Sequence, residues 1–330
     1  MHASGDHQEL DRLSADLAGV LGRIGLDPAA GRSERRERID TRFAAAAARH
    51  AGRVAAQDGE GASTYLELDW LADDIARRLS GRAGPGAAVA VRVRRSHVSA
   101  AAVVGVMRAG AAVLPLESGH RAGLQEFMMR EAGVEMVVSD GVLLRDEVPV
   151  AKTGRFVIAV RPRVRAGCEI GPGAAFVALP AGGEPGRAAG VRVVSHLDVL
   201  AWVDAVVPLL EAGPYDVWAS FHSMSLEVGM REPWGPLLSG GRMVVAGREA
   251  AGDAGAFVRL LAGHGVTVLT QLPSAFARLT QAALGSTLPS LRHVLLAGEP
   301  VEGGVVARWR ESGIAPAAVV RDVSGSPAVL

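Results

Sequence analysis

Residues 216–298 hold four strand-like runs, DVWASF (216–221), RMVVAG (242–247), VTVLTQL (266–272) and RHVLLAG (292–298), separated by helical stretches at 230–239, 253–263 and 273–284. Short apolar runs set between helices are the pattern of parallel strands buried on both faces by crossover helices. The alternation extends upstream. AVAVRV (88–93), a helix over 97–109, AAVLPL (111–116), a helix over 121–132 and VEMVVSD (134–140) repeat it, and a helix over 196–211 leads into the first run quoted. The fold class is therefore α/β, with two βα subdomains of mostly parallel sheet flanked by helices. The expected core covers 34–330, divided into 34–195 and 196–330, and it opens with a helix over about Glu34–His50. Ahead of it, QELDRLSADLAGVLGRIGLD (8–27) places Leu10, Leu13, Leu17, Val20, Leu21 and Ile24 on one helical face. Pro28 and AAGRS end that helix, so 1–33 reads as a helix and linker. The helix either packs on its own domain or serves as a docking or dimerisation element.

Composition narrows the classes. The 330 residues suit one large domain or two subdomains, and 49% hydrophobic against 21% charged residues is a globular balance. Basic and acidic residues balance at 35 each, which disfavours a nucleic-acid partner. A single cysteine, Cys168, excludes an internal disulfide and fits a reducing, cytoplasmic setting. The opening MHASGDHQELDR lacks the apolar core of a secretory signal. The most apolar stretch, Val98–Leu116, is interrupted by Arg108 and reads as a buried helix running into a strand, not a membrane span. The nine histidines show no metal-ligand spacing, so no metal site is expected. No serine lies in a nucleophile-elbow pattern.

Between the strand-like runs AAFVAL and VRVVSH lies PAGGEPGRAAG (180–190), which has the shape of a phosphate-cradling loop. Gly182, Gly183, Gly186 and Gly190 permit close backbone approach. A phosphate loop also needs a lysine and Ser/Thr hydroxyls. This one has none, and Glu184 and Pro185 stand where a phosphate would be repelled or would find no donor. The only lysine in the chain is Lys152, so a mechanism that needs a catalytic amine must use it or borrow one from another chain.

Several motifs then line up in order. STYLELDWLADDIARRL (63–79), VMRAGAAVLPLE (106–117) followed by RAGLQEFM (121–128), DVWASFHSMSLEVGMREPWGPLLSGGRMVV (216–245), VTVLTQLPSAF (266–276) and LRHVLLAGEPV (291–301) resemble successive motifs of the adenylate-forming superfamily. Within it, the chain resembles the adenylation domains of nonribosomal peptide synthetases over about Glu34–Pro327. Such domains use ATP and magnesium to make an aminoacyl-adenylate, then pass the acyl group to a carrier-protein thiol.

The resemblance implies a nucleotide site that has lost its chemistry. The family's Ser/Thr-rich phosphate loop falls on Ala181–Gly190. Its hydroxyl residues become Ala181, Gly182, Glu184 and Pro185, and its lysine becomes Ala189. The adenine-site motif falls on Asp322–Ala328, so that Asp322, Ser324 and Gly325 mark a vestigial adenine site, with Ser324 where the family stacks a tyrosine. Pro327 and Ala328 replace its Thr-Glu pair. The family's downstream ribose-binding motif, hinge and small C-terminal subdomain are not in this sequence, which implies a truncated core.

The acyl side is better kept. The carboxylate that pairs with the substrate ammonium falls on Glu227, and other pocket positions fall on His222, Val228, Arg231, Thr270, Leu295, Ala297 and Val323. Arg231 either pairs with an acidic ligand or closes the pocket on Glu227, and Glu299 is either a site residue or a helix N-terminal carboxylate. These readings lead to an expectation of a non-catalytic homologue, with no ATP or magnesium cofactor. It would act as an interaction or recruitment protein that binds a carrier protein, a tailoring enzyme or a synthetase module. The alternatives are an amino-acid-adenylating enzyme completed by a C-terminal subdomain in trans, and an aminoacyl-ligand-binding protein.

Overall fold

The structure, a computed structural model, describes residues 37–117, 119–141, 143–162, 170–178 and 192–323. The expected helix over 8–27 and Cys168 lie outside the described residues. Contacts divide the chain into two units. One holds Arg36–Leu200 and Ser223–Met230; the other holds Ala201–His222 and Arg231 onward.

The first unit starts with helix α1 (Ile39–His50), an antiparallel strand pair β1 (Val54–Gln57) and β2 (Ala62–Thr64), and helix α2 (Tyr65–Leu79). Helix α2 forms because its apolar residues recur at helical spacing. Tyr65, Leu68, Ala72, Ile75 and Leu79 are all buried on one face. Its start is fixed by a capping box, in which Glu67 N–H donates to Thr64 Oγ1 (3.2 Å) and Thr64 N–H donates to the Glu67 carboxylate (2.7 Å). Helix α3 (Ser99–Arg108) is buried from Ser99 to Met107. Its last residue, the half-buried Arg108, reaches Asp69 (2.7 Å) and Asp73 (2.5 Å) of α2. The apolar stretch Val98–Leu116 is thus a buried helix followed by a buried strand. Among the described residues no helix is long and apolar enough to cross a membrane.

Strands β3 (Ala88–Arg92) and β4 (Ala112–Leu116) are buried at every position, as central parallel strands must be. Helix α4 (Ala122–Glu131) follows, then β5 (Met136–Ser139), β6 (Val148–Thr153), β7 (Phe156–Val160), β8 (Ala174–Ala178), β9 (Arg192–Ser195) and helix α5 (His196–Leu209). The sheet order is β6-β7-β5-β3-β4-β8-β9. Strands β3, β4, β5 and β8 are parallel, whereas β6, β7 and β9 pair antiparallel at the edges. The sheet is therefore mixed, and the β6–β7 edge is absent from the sequence expectation. At the carboxyl end of β3, Arg92 donates to the fully buried Glu147, with Nη1 at 2.8 Å from Oε1 and Nη2 bonded to Oε2. Arg161 adds a contact at 3.2 Å and Leu144 N–H one at 2.8 Å, and Arg161 Nη2 also donates to both carboxylate oxygens of Glu126 of α4 at 2.7 Å. Burial raises the Glu147 carboxyl, but the Arg92 hydrogen bond and the Leu144 N–H outweigh it and leave the group below the ordinary carboxylate range.

The second unit carries β10 (Val217–Ser220), helix α7 (Trp234–Ser239), β11 (Arg242–Val245), helices α8 (Arg248–Gly252) and α9 (Ala254–His264), β12 (Val268–Gln271), helix α10 (Pro273–Ala282), β13 (His293–Leu296), helix α11 (Gly303–Ser312) and β14 (Val319–Asp322). A short helix, α6 (Glu227–Arg231), precedes α7. The single helix expected over 230–239 is thus two short ones, because Pro233 sits between them and lacks the N–H that a continuous helix needs. The strands of this unit run parallel in the order β14-β13-β12-β10-β11. Leu269, Val294, Leu296 and Val320 face a core that also holds Phe257, Phe276 and Trp309.

A Cβ placed on Gly105 of α3 would lie 2.7 Å from Ile75 Cβ and 2.9 Å from the Ala72 carbonyl oxygen of α2. Alanine's better helix propensity is worth about 1 kcal/mol, but overpacking a fixed helix contact costs about 1–3 kcal/mol. Gly105→Ala is therefore expected to destabilise the protein, measured by urea unfolding.

Acid is expected to destabilise it too. His196 accepts from Ile39 N–H through Nδ1 (3.3 Å), and burial, with Arg38 nearby, lowers its pKa to about 3. Its folded value lies below the unfolded one of about 6.5, so the stability it contributes is complete above pH 6.5. That stability is lost at up to about 1.4 kcal/mol per pH unit as pH falls toward the folded value. The Glu147 contribution is lost only below its unfolded value of about 4.3. Denaturation midpoints should fall between pH 6.5 and 4.5, and His196→Asn, which keeps an acceptor for Ile39 N–H, should flatten that dependence.

Candidate functional site

In the second unit β11 lies to one side of β10 and β12 to the other, so the strand order reverses between β10 and β12. In open α/β sheets ligands bind outside the carboxyl ends of the strands at such a reversal. His222 follows β10 at that point, and Thr270 and Gln271 end β12.

The local geometry is organised by Glu232, which sequence reasoning missed. Its buried carboxylate accepts from Ser220 Oγ (3.3 Å), Phe221 N–H (3.0 Å), His222 N–H (3.0 Å) and His222 Nδ1 (3.1 Å). A buried carboxylate is tolerable only when its lone pairs are filled in this way. The contact fixes the proton of His222 on Nδ1 and turns Nε2 away from Glu232. His222 Nε2, Thr270 Oγ1 and Gln271 Nε2 are each buried with no hydrogen-bond partner among the described residues. Buried polar atoms are nearly always satisfied, so the orphans of His222 and Thr270 at the strand reversal point to a bound polar molecule, whereas Gln271, next to Thr270 on β12, faces the opposite side with Leu269. The signal in the sequence was an acid set between residues of the buried run Met230–Leu238.

Register joins the other acyl-side residues of this unit. Thr270 lies opposite Leu295, Ala297 N–H donates to Gln271 O (3.1 Å), and Val323 N–H donates to Leu296 O (2.9 Å). Thr270, Leu295, Ala297 and Val323 thus stand, all buried, on one face of the sheet at the carboxyl ends. Arg231 is 4% exposed. Asp322 ends β14, exposed. The Glu299 carboxylate accepts from Ser274 N–H and Oγ, both at 3.0 Å, so it caps the start of α10.

Glu227 and Val228 belong to the first unit, on the excursion Ser223–Met230. Ser225 Oγ donates to Pro115 O of β4 (3.1 Å), and Leu226 N–H donates to Ser223 O (2.9 Å). A Cβ on Gly229 would lie 1.9 Å from that same Ser223 oxygen, so only glycine fits the turn. Glu227 opens α6 half-exposed and pairs with Arg192 of β9 (2.7 Å), a partner that the sequence reading did not name. Gly182, Gly183, Glu184, Gly186, Ala189 and Gly190, together with Ser324 and Gly325, lie outside the described residues. Among the described residues no group of three His, Cys, Asp or Glu side chains is placed to hold a metal ion.

Comparison with known proteins places this geometry. The family model described as AMP-binding enzyme matches residues 43–172 and 183–321. A dimodular nonribosomal peptide synthase of Bacillus subtilis is 31% identical over 266 residues, 74% of this chain and 11% of the synthase. The syringomycin synthase SyrB1 of Pseudomonas syringae is 28% identical over 273 residues, 78% of this chain and 43% of that protein. The chain therefore spans less than half the length of these relatives. Among solved structures, the peptide synthetase FmoA3 in its alpha-methyl-L-serine-AMP bound form matches with a TM-score of 0.75 at 24% identity, covering 90% of this chain and 34% of that one. The N-terminal subdomain of Klebsiella oxytoca NpsA in complex with anthranilyl-AMSN gives 0.70 at 19% identity, covering 88% and 74%. The matched family model over most of the described residues and the shared α/β fold lead to one conclusion: the chain belongs to the AMP-binding enzyme family and is a homologue of the adenylation domains of nonribosomal peptide synthetases.

Proposed function

We propose that the chain is a non-catalytic adenylation-domain homologue that serves nonribosomal peptide biosynthesis as an interaction or recruitment protein, binding a carrier protein, a tailoring enzyme or a synthetase module. The observation that carries this reading is the donor set available to a nucleotide. The segment joining β8 to β9 holds Glu184 and Pro185 with no lysine, serine or threonine from Pro180 to Gly190, and β14 runs into Val323-Ser324, where the family stacks a tyrosine. ATP and its magnesium ion need fixed N–H donors, hydroxyls and cations. These residues do not fit them. Losing one such preorganised donor typically costs about 2.7–4 kcal/mol of barrier, so several losses at one site leave little catalysis. A packed core in a sequence that lacks these donors supports retention of the body for something other than adenylation.

Calorimetry with ATP and magnesium should show no binding, and pyrophosphate exchange should stay at background with every amino acid, with or without a C-terminal subdomain added in trans. Micromolar ATP binding, or exchange above background, would sink the proposal in favour of an adenylating enzyme.

The orphaned atoms of His222 and Thr270 favour a second reading, in which the protein binds an aminoacyl ligand without activating it. A bound amino acid should then raise the melting temperature of the chain. Glu232→Gln, which sets an amide donor or a weaker acceptor against His222 Nδ1, should reduce that ligand-induced rise. It should also lower the unfolding free energy by about 1–3 kcal/mol.

A further inference from the structure

The strand face that carries Thr270 and Leu295 continues onto Arg321 of β14. Thr270 lies opposite Leu295, and Leu295 lies opposite Arg321. Side chains alternate along a strand, so these three stand in one row on the face away from Leu269, Val294, Leu296 and Val320. Two strand spacings put the Cα atoms of Thr270 and Arg321 about 10 Å apart, with Leu295 between them.

Arg321 is half-buried, and burial holds its guanidinium below its ordinary value. Its Nη1 lies 2.9 Å from His293 Nδ1. That imidazole is neutral and supplies no counter-charge, since burial and the neighbouring Arg321 and Arg292 lower His293 to about 4. Among the described residues no carboxylate forms an ion pair with Arg321. Asp216 is committed to Arg292 (2.7 Å), Thr267 Oγ1 (2.8 Å) and Gly213 N–H (2.9 Å). Asp322, the next residue along, points to the opposite face. A cation partly withdrawn from water without a counter-charge is costly, and a guanidinium keeps further N–H donors beyond the one given to His293. At the other end of the row, Thr270 Oγ1 is buried without a partner.

We propose that Arg321 and Thr270 make the row over Leu295 an anion-selective end of the acyl pocket, and that the ligand is an acyl group carrying a side-chain carboxylate. The guanidinium takes the carboxylate in a charge-assisted contact, the Thr270 hydroxyl donates to it, and Leu295 packs against the methylenes that lead to it. This rests on the ligand-binding reading given above.

The test measures binding of free amino acids to the full chain by calorimetry, with thermal unfolding as a check that each variant is folded. L-aspartate, L-glutamate and L-2-aminoadipate are compared with L-asparagine, L-glutamine and L-leucine. An acidic probe is expected to bind on the order of tenfold more tightly than its neutral counterpart. Arg321→Met should abolish that preference, and Arg321→Lys, which keeps the charge, should retain part of it. Neutral probes that bind as tightly as acidic ones, or a preference that survives Arg321→Met, overturn this inference and leave the ligand-binding reading standing. Failure of all probes, acidic and neutral, removes both.

Discussion

The second unit depends on one buried carboxylate. Glu232 is acceptable inside an apolar run only because two backbone N–H groups, a serine hydroxyl and an imidazole converge on it. Those donors come from residues 220–222, just before the chain leaves this unit, and Glu232 lies just after it returns. The carboxylate therefore closes the excursion at its base. It also orients His222 at the point where the strand order reverses, so one desolvated charge serves both architecture and site.

The first unit handles buried charge differently. Glu147 is enclosed by Arg92 and Arg161, and Arg161 carries Glu126 in turn, so a chain of ion pairs runs between the sheet and α4. Buried pairs of this kind are weak evidence of stability in themselves, since desolvation offsets most of their attraction. Their effect is to fix position: the strand end carrying Arg92, the β6–β7 edge and α4 move together or not at all. Neutral His196 plays a comparable part at the start of α5, where it takes the first helical N–H of α1.

Much of this fold was legible in the sequence because its strongest elements announce themselves by period. The wholly apolar runs of β3 and β4 and the 3.6-residue spacing of Tyr65, Leu68, Ala72, Ile75 and Leu79 leave little choice of structure. The β6 strand, VPVAKT, was not legible, because proline and lysine belong to an edge that pairs on one side only. The split between α6 and α7 was missed where an otherwise helical pattern outweighed Pro233. Of the candidate site, Thr270, Leu295, Ala297 and Val323 follow from motif position. Glu232 did not, because three of its four donors are backbone groups and a hydroxyl, which no spacing rule advertises. Arg321 likewise needs strand register before its lack of an ion-paired carboxylate among the described residues becomes visible.

The division of the chain has a consequence for how the protein is made. The main body of the first unit is contiguous, Arg36–Leu200, so it emerges from the ribosome complete except for the eight-residue piece Ser223–Met230. The second unit is interrupted by that piece and gains Glu232 only after it. Domains generally form as their residues become available during synthesis. The sheet holding β4 is thus in place before Ser225 arrives to bond Pro115, and the late-arriving turn docks onto a finished template rather than helping to build it.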